Sequence, residues 1–151
     1  MERRLDEARA LEAIYGPDSF VYQVVSSNEV KGQLSLSARL PDEGVIIRAG
    51  TLPDRTLRHL PPLVVSFTLP ENYPDREPPT VRLSCSWLPV DDIDAIVQEA
   101  ADLFVEGSES VFVMVDRIVE RASDVAAGGI SLDKRAHPAH LSSSHLSVFI
   151  Q

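Results

Sequence analysis

Cys85 is the chain's single thiol and so its one candidate for nucleophilic chemistry through sulfur. A cysteine becomes reactive when a nearby base, cation or helix N-terminus lowers its pKa. Cys85 instead runs in phase with Val81, Leu83 and Trp87, the inward face of a strand, and reads as an inert core residue. One cysteine also excludes an internal disulfide and every Cys-based zinc module. His59 stands beside Pro61-Pro62 with no base or ligand partner near it, and reads as a surface-loop residue. His137 and His140 have a spacing that would suit a metal on one helix face, but Pro138 lies between them. With His145 they still lack a carboxylate or thiolate to complete a ligand set. Ser142-Ser143-Ser144 offers hydroxyls for phosphorylation with only exposure behind it. No phosphate-binding glycine loop, nucleophile elbow or H-E-x-x-H helix is present. Nothing reads as catalytic, and no metal or cofactor is implied.

The elements that would position these residues follow from size and pattern. A chain of 151 residues suggests one domain. Hydrophobic residues at 44% and charged residues at 25% match an ordinary globular chain able to bury a core without a staple. Asp and Glu number 23 against 14 Lys and Arg, a net charge of −9, which works against phosphate backbones and anionic membrane surfaces alike. The amino terminus carries Glu2, Asp6 and Glu7 where a secretory peptide would be apolar, and no run approaches the ~20 apolar residues of a membrane span. A reducing compartment is expected: the cytoplasm, with the nucleus open.

Residues 2–15 read as a helix with Leu5, Ala8, Leu11 and Ile14 (or Tyr15) on its apolar face, stopped by Gly16-Pro17. Strand periods follow at Phe20/Tyr22/Val24, at Leu34 to Leu40, more weakly at Val45-Ile46-Ile47, at Leu63 to Leu69 and at Val81 to Trp87. Between the last two lies Pro70-Glu71-Asn72-Tyr73-Pro74-Asp75-Arg76-Glu77-Pro78-Pro79, too rich in proline for helix or central strand. Asp91 or Asp92 can cap a helix carrying Ile93, Ile96, Val97, Ala100 and Phe104 and ending at Gly107; Ser108 or Ser110 opens another through Ala122. The order predicts an α+β domain over residues 1–126, with helices on one antiparallel sheet of four strands, α-β-β-β-β-α-α. Residues 127–151 read as a flexible tail, in which Leu146 to Ile150 either adds a short strand or frays.

Two segments carry a family resemblance. Leu11-Glu12-Ala13-Ile14-Tyr15-Gly16-Pro17-Asp18 resembles the first-helix signature of RWD domains, and Tyr73-Pro74-Asp75-Arg76-Glu77-Pro78-Pro79 matches their Y-P-x-x-x-P-P loop. The resemblance spans about residues 1–125, and Leu83-Ser84-Cys85-Ser86-Trp87-Leu88 is most similar to RWD domains of ring-between-ring E3 ubiquitin ligases. It implies the fold of ubiquitin-conjugating enzymes without their catalysis: no His-Pro-Asn turn follows the prolines, and the RING cysteines are absent. It further implies a protein-recruiting module of the ubiquitin pathway or of translation-stress signalling. The partner it suggests is a ubiquitin-pathway component or the HEAT-repeat ribosome-associated activator of the starvation kinase. The alternative is a conjugating-type protein that loads or binds ubiquitin through Cys85.

Tyr73, Pro74, Pro78 and Pro79 read as structural, stiffening a long loop around a buried ring. For the partner surface the pattern points to Asp92, Glu99, Asp102 and Glu106, one side of the helix after Asp91. No Lys or Arg occurs from Val90 to Asp116, so the reading is an unrelieved acidic stripe facing a basic partner, against that of a solvated helix face.

Overall fold

Helix α1 (Glu2–Tyr15) is built from good helix formers and ends at Gly16, whose φ of +88° turns the chain while its N–H reaches the Glu12 carbonyl at 2.8 Å. Its expected face holds in the Tyr15 alternative, with Ala8 and Leu11 buried and Leu5 and Tyr15 packed against the core while Ile14 is 57% exposed, and Arg4 and Glu7 are buried beside it. The sheet beside it ends in carbonyls that need donors. Arg4 Nη1 donates to the Leu69 carbonyl at 3.3 Å and Nη2 to that of Ser27 at 3.2 Å. The arginine stem fills apolar space while its head meets backbone oxygen, so a count of apolar types alone misses Arg4 and Glu7 as members of the buried face.

The computed structural model describes residues 2–131, so the His137/His140/His145 cluster, Ser142 to Ser144, and Leu146 to Ile150 lie outside the described residues. Strands β1 (Phe20–Ser26), β2 (Glu29–Leu36), β5 (Leu63–Leu69) and β6 (Thr80–Ser84) form a four-stranded antiparallel sheet in the order β1-β2-β5-β6. Between β2 and β5, β3 (Val45–Arg48) and β4 (Arg55–Leu57) pair in a small second sheet. Helices α2 (Val90–Ala101) and α3 (Val111–Ala127) follow, and β7 (Ile130–Ser131) closes the small sheet by parallel pairing with β3. The expected α+β class and the sequence of helix, antiparallel sheet and two helices hold.

The register lines up the core in rows. Phe20, Leu34, Val65 and Leu83 face one another across all four strands, and each is at most 4% exposed. In the next row Tyr22, Gly32, Phe67 and Val81 are aligned. A Cβ on Gly32 would collide with the Phe67 ring, which lies over it and stacks on Phe20 with centroids 5.9 Å apart. Gly32 is thus the space in which the aromatic row packs. That glycine and Lys31 interrupt the apolar alternation, so β2 starts five residues earlier than the Leu34 to Leu40 pattern predicts.

Three further boundaries differ from expectation. Strand β6 stops at Ser84, and Cys85 and Trp87 are buried in the turn that follows rather than on a strand. Helix α2 ends at Ala101, not Gly107; its last turn has no base, and Leu103 and Phe104 close i→i+3 bonds to Ala100 and Ala101. The folded body also continues beyond 126: Ile130 is 2% exposed and pairs with Ile47.

Candidate protein-interaction site

The proline-rich loop is ordered around Tyr73, whose ring is 3% exposed and sits 6.1 Å from that of Phe104. The Tyr73–Pro74 peptide is cis. Pro74 and Pro79 are buried and Pro78 is exposed. The Tyr73 hydroxyl donates to Glu7 Oε1 at 2.6 Å and accepts the Ser110 N–H at 2.8 Å, while Glu7 Oε2 accepts the Val111 N–H at 3.1 Å. Helix α3 therefore begins on a cap supplied by two other elements. Its own Ser110 side chain makes no capping bond. A carboxylate there also meets the positive end of the helix dipole. Burial raises the Glu7 carboxyl above its ordinary 4.5, and the bonds from Tyr73 and Val111 oppose that rise. Burial first, then the Glu7 contact, holds the Tyr73 phenol well above its ordinary range, so the hydroxyl keeps its proton at neutral pH.

Outside this buried pair, Arg3 clips three segments together. It reaches Asp75 at 2.8 Å, Glu109 at 2.9 Å and the Gly107 carbonyl at 2.7 Å. The Gly107 N–H in turn donates to the Pro74 carbonyl at 2.7 Å. The loop motif thus fixes the connection between α2 and α3. Sequence reasoning identified Tyr73 and its prolines but missed Glu7 and Arg3; for Glu7 the available signal was its place beside Ala8 and Leu11 on the helix, while the exposed Arg3 gave none.

Of the four acids expected to form a stripe, only Asp92 and Glu99 lie within α2. Asp102 is its C-cap residue and Glu106 belongs to the turns beyond. Nor is the charge unrelieved. Glu99 Oε2 lies 3.3 Å from Arg117 Nη1 and 3.3 Å from Arg121 Nε, and Gln98 donates to Asp102. The two arginines come from α3, whose residues pack against α2, so they pair Glu99 across space within a run that is purely acidic along the chain.

A family model for the RWD domain matches residues 2–125, which is nearly all of the described fold. The chain belongs to the RWD domain family. E3 ubiquitin-protein ligase RNF14 of Danio rerio is 29% identical over 126 residues, covering 82% of this chain and 27% of that protein. RNF14 of Homo sapiens is 30% identical over 118 residues, covering 73% and 24%. E3 ubiquitin-protein ligase itt1 of Schizosaccharomyces pombe is 48% identical over 56 residues, covering 36% and 12%. The chain spans about a quarter of the length of the RNF14 relatives. An RWD domain mediates protein–protein interaction, and these relatives belong to the ubiquitin ligases.

Within this RWD domain the residues singled out for chemistry stand apart. Cys85 is 1% exposed. Trp87, 3% exposed, donates its indole N–H to the Pro61 carbonyl at 2.8 Å, satisfying its one polar atom as a buried tryptophan requires. His59 is exposed in the loop before β5. Among the described residues no group of three or more His, Cys, Asp and Glu could hold a metal ion.

Proposed function

We propose that this RWD domain is a non-catalytic recruiting module that brings a protein partner to a ubiquitin-pathway assembly. The burial of its only thiol carries the reading: at 1% exposure Cys85 has no path to an incoming thioester. Thioester chemistry needs an accessible thiolate beside oxyanion donors. Tyr73 and Glu7, the pair nearest to acid–base chemistry, are engaged in capping α3. The names of the RNF14 and itt1 relatives support the ubiquitin pathway as the setting. The family resemblance supports a second candidate partner, the HEAT-repeat ribosome-associated activator of the starvation kinase.

Incubation with activating enzyme, ATP and ubiquitin tests the chemistry. Neither the parent nor Cys85→Ser is expected to form a thiol-sensitive adduct; one formed by the parent and lost in the variant refutes the non-catalytic reading. Co-purification of the tagged chain from cells tests recruitment. A chain that retains no protein above an unrelated control at low salt refutes it.

A further inference from the structure

We propose that the cleft between α1 and the first turn of α3 is a docking groove for a basic amphipathic helix of the partner protein. This rests on the recruiting function proposed above and assigns it a surface. Two large apolar side chains meet solvent there together: Ile14 is 57% exposed and Phe112 is 47% exposed. Phe112 is backed by Tyr15, with ring centroids 6.2 Å apart, so the ring rests on a packed support. On α1, Asp6, Ala10 and Ile14 succeed one another at four-residue spacing, one above the next on a single face. The small Ala10 leaves a trough between the acid and the isoleucine, floored by Leu11 at 1% exposure. Across the trough, Glu109 and Phe112 supply the other wall. The cavity measures about 330 Å³.

Charge decides the occupant. The lining includes Asp6, Glu7 and Glu109 and no cation. Asp6 has only Arg9, at 3.5 Å, with both side chains more than 60% exposed (66% and 63%). Glu109 is held by Arg3 through two bonds, Nε to Oε2 at 3.1 Å and Nη2 to Oε1 at 2.9 Å, and Glu7 is engaged in capping α3, so Asp6 is the acid of the lining left open to a partner's cation. A purely apolar ligand would cover the Asp6 carboxylate and strip its water without pairing it, which costs free energy. A second copy of this chain, itself at −9, would bring acid against acid. A helix with large apolar anchors, and Lys or Arg one turn away, meets both halves of the groove at once. Its charge would also speed its encounter with an acidic domain.

The test uses a fluorescein-labelled amphipathic helix of roughly fifteen residues, leucines at i and i+4 and arginines a turn to either side. Fluorescence anisotropy should show saturable, salt-sensitive binding to the full chain. Ala10→Arg, which fills the trough from an exposed helix position with a melting curve like the parent's, and Phe112→Ser should each weaken it by at least about tenfold. Amide shifts on titration should centre on Ala10, Ile14 and Phe112. The proposal is overturned if a probe with serines for leucines binds equally, if Ala10→Arg binds like the parent, or if the shifts centre on Glu99 and Arg117. Co-purification separates the two levels. A partner held equally by the parent and by Ala10→Arg overturns the groove and leaves recruitment standing, whereas a parent that holds no partner overturns recruitment itself.

Discussion

Tyr73→Phe isolates the cap on α3 from the packing of the ring. The substitution keeps the aromatic contact with Phe104 and deletes one oxygen, which serves Glu7 at 2.6 Å and Ser110 at 2.8 Å. The Ser110 N–H is then left without its partner in a residue only 3% exposed, and a buried unsatisfied donor costs about 1–3 kcal/mol. Loss of a helix cap is worth about 1 kcal/mol and is part of the same deficit rather than an addition to it. The expected cost is about 2 kcal/mol, or a melting temperature lower by about 4–8 °C. Tyr73→Ala, which also removes the ring, should cost about 3–5 kcal/mol. Urea unfolding followed through Trp87 fluorescence measures both, and an unchanged slope with a shifted midpoint would place the effect in native stability. Combining Tyr73→Phe with Glu7→Gln should be less than additive, because the two changes break one shared network. A Tyr73→Phe variant within about 0.5 kcal/mol of the parent would refute the capping argument.

Other outcomes follow from the same contacts. Gly32→Ala should destabilise by about 1–3 kcal/mol, since its methyl must displace the Phe67 ring; unchanged urea stability would mean that the aromatic row has slack. Glu7 binds its proton more tightly folded than unfolded, so the stability it contributes is present at low pH and is lost as pH rises from about 4.5 through its raised folded value. The stability of the parent minus that of Glu7→Gln should therefore fall as the pH is raised above 4.5, and a difference that is flat or rises would contradict the assignment. Cys85 should react with Ellman's reagent only on unfolding, so rapid labelling of the native chain would show an accessible thiol.

The parts of the fold legible in the sequence are those in which residue type and position agree. Leu63, Val65, Phe67 and Leu69 alternate in composition and in burial alike. Gly16 stops the first helix because a left-handed turn is needed there. The parts that were not legible depend on partners far along the chain. Arg4 and Glu7 look solvent-facing by type, yet one finds carbonyls at Ser27 and Leu69, and the other finds a hydroxyl and an amide supplied from residues 73 and 111. Trp87 looks like a strand residue because its burial continues the alternation, although the backbone has already turned. Burial was right there and the element was wrong, since a turn whose indole N–H is satisfied packs as well as a strand.

The acidic stripe shows why charge is harder to read than hydrophobicity. Apolar periodicity on a helix reports a local geometry, because neighbours at three and four residues share a face whatever surrounds them. Sign purity along a sequence reports nothing about the next helix. Glu99 sits in a run without a single base from Val90 to Asp116, and its two arginines begin one residue beyond it, at Arg117 and Arg121. Because the connection folds α3 back against α2, those arginines fall opposite the acid they follow. Pairs as exposed as these add little stability, with side chains 38–46% accessible, yet they are close enough to offset the charge of Glu99 itself. At the α1–α3 cleft the same logic runs the other way. Its acids come from segments about a hundred residues apart: Glu109 is taken by Arg3 through two bonds, while Asp6, beside Ile14 and Phe112, keeps only the exposed Arg9 at 3.5 Å. A surface charge becomes informative about partners only after the fold has shown which charges it has already spent on itself.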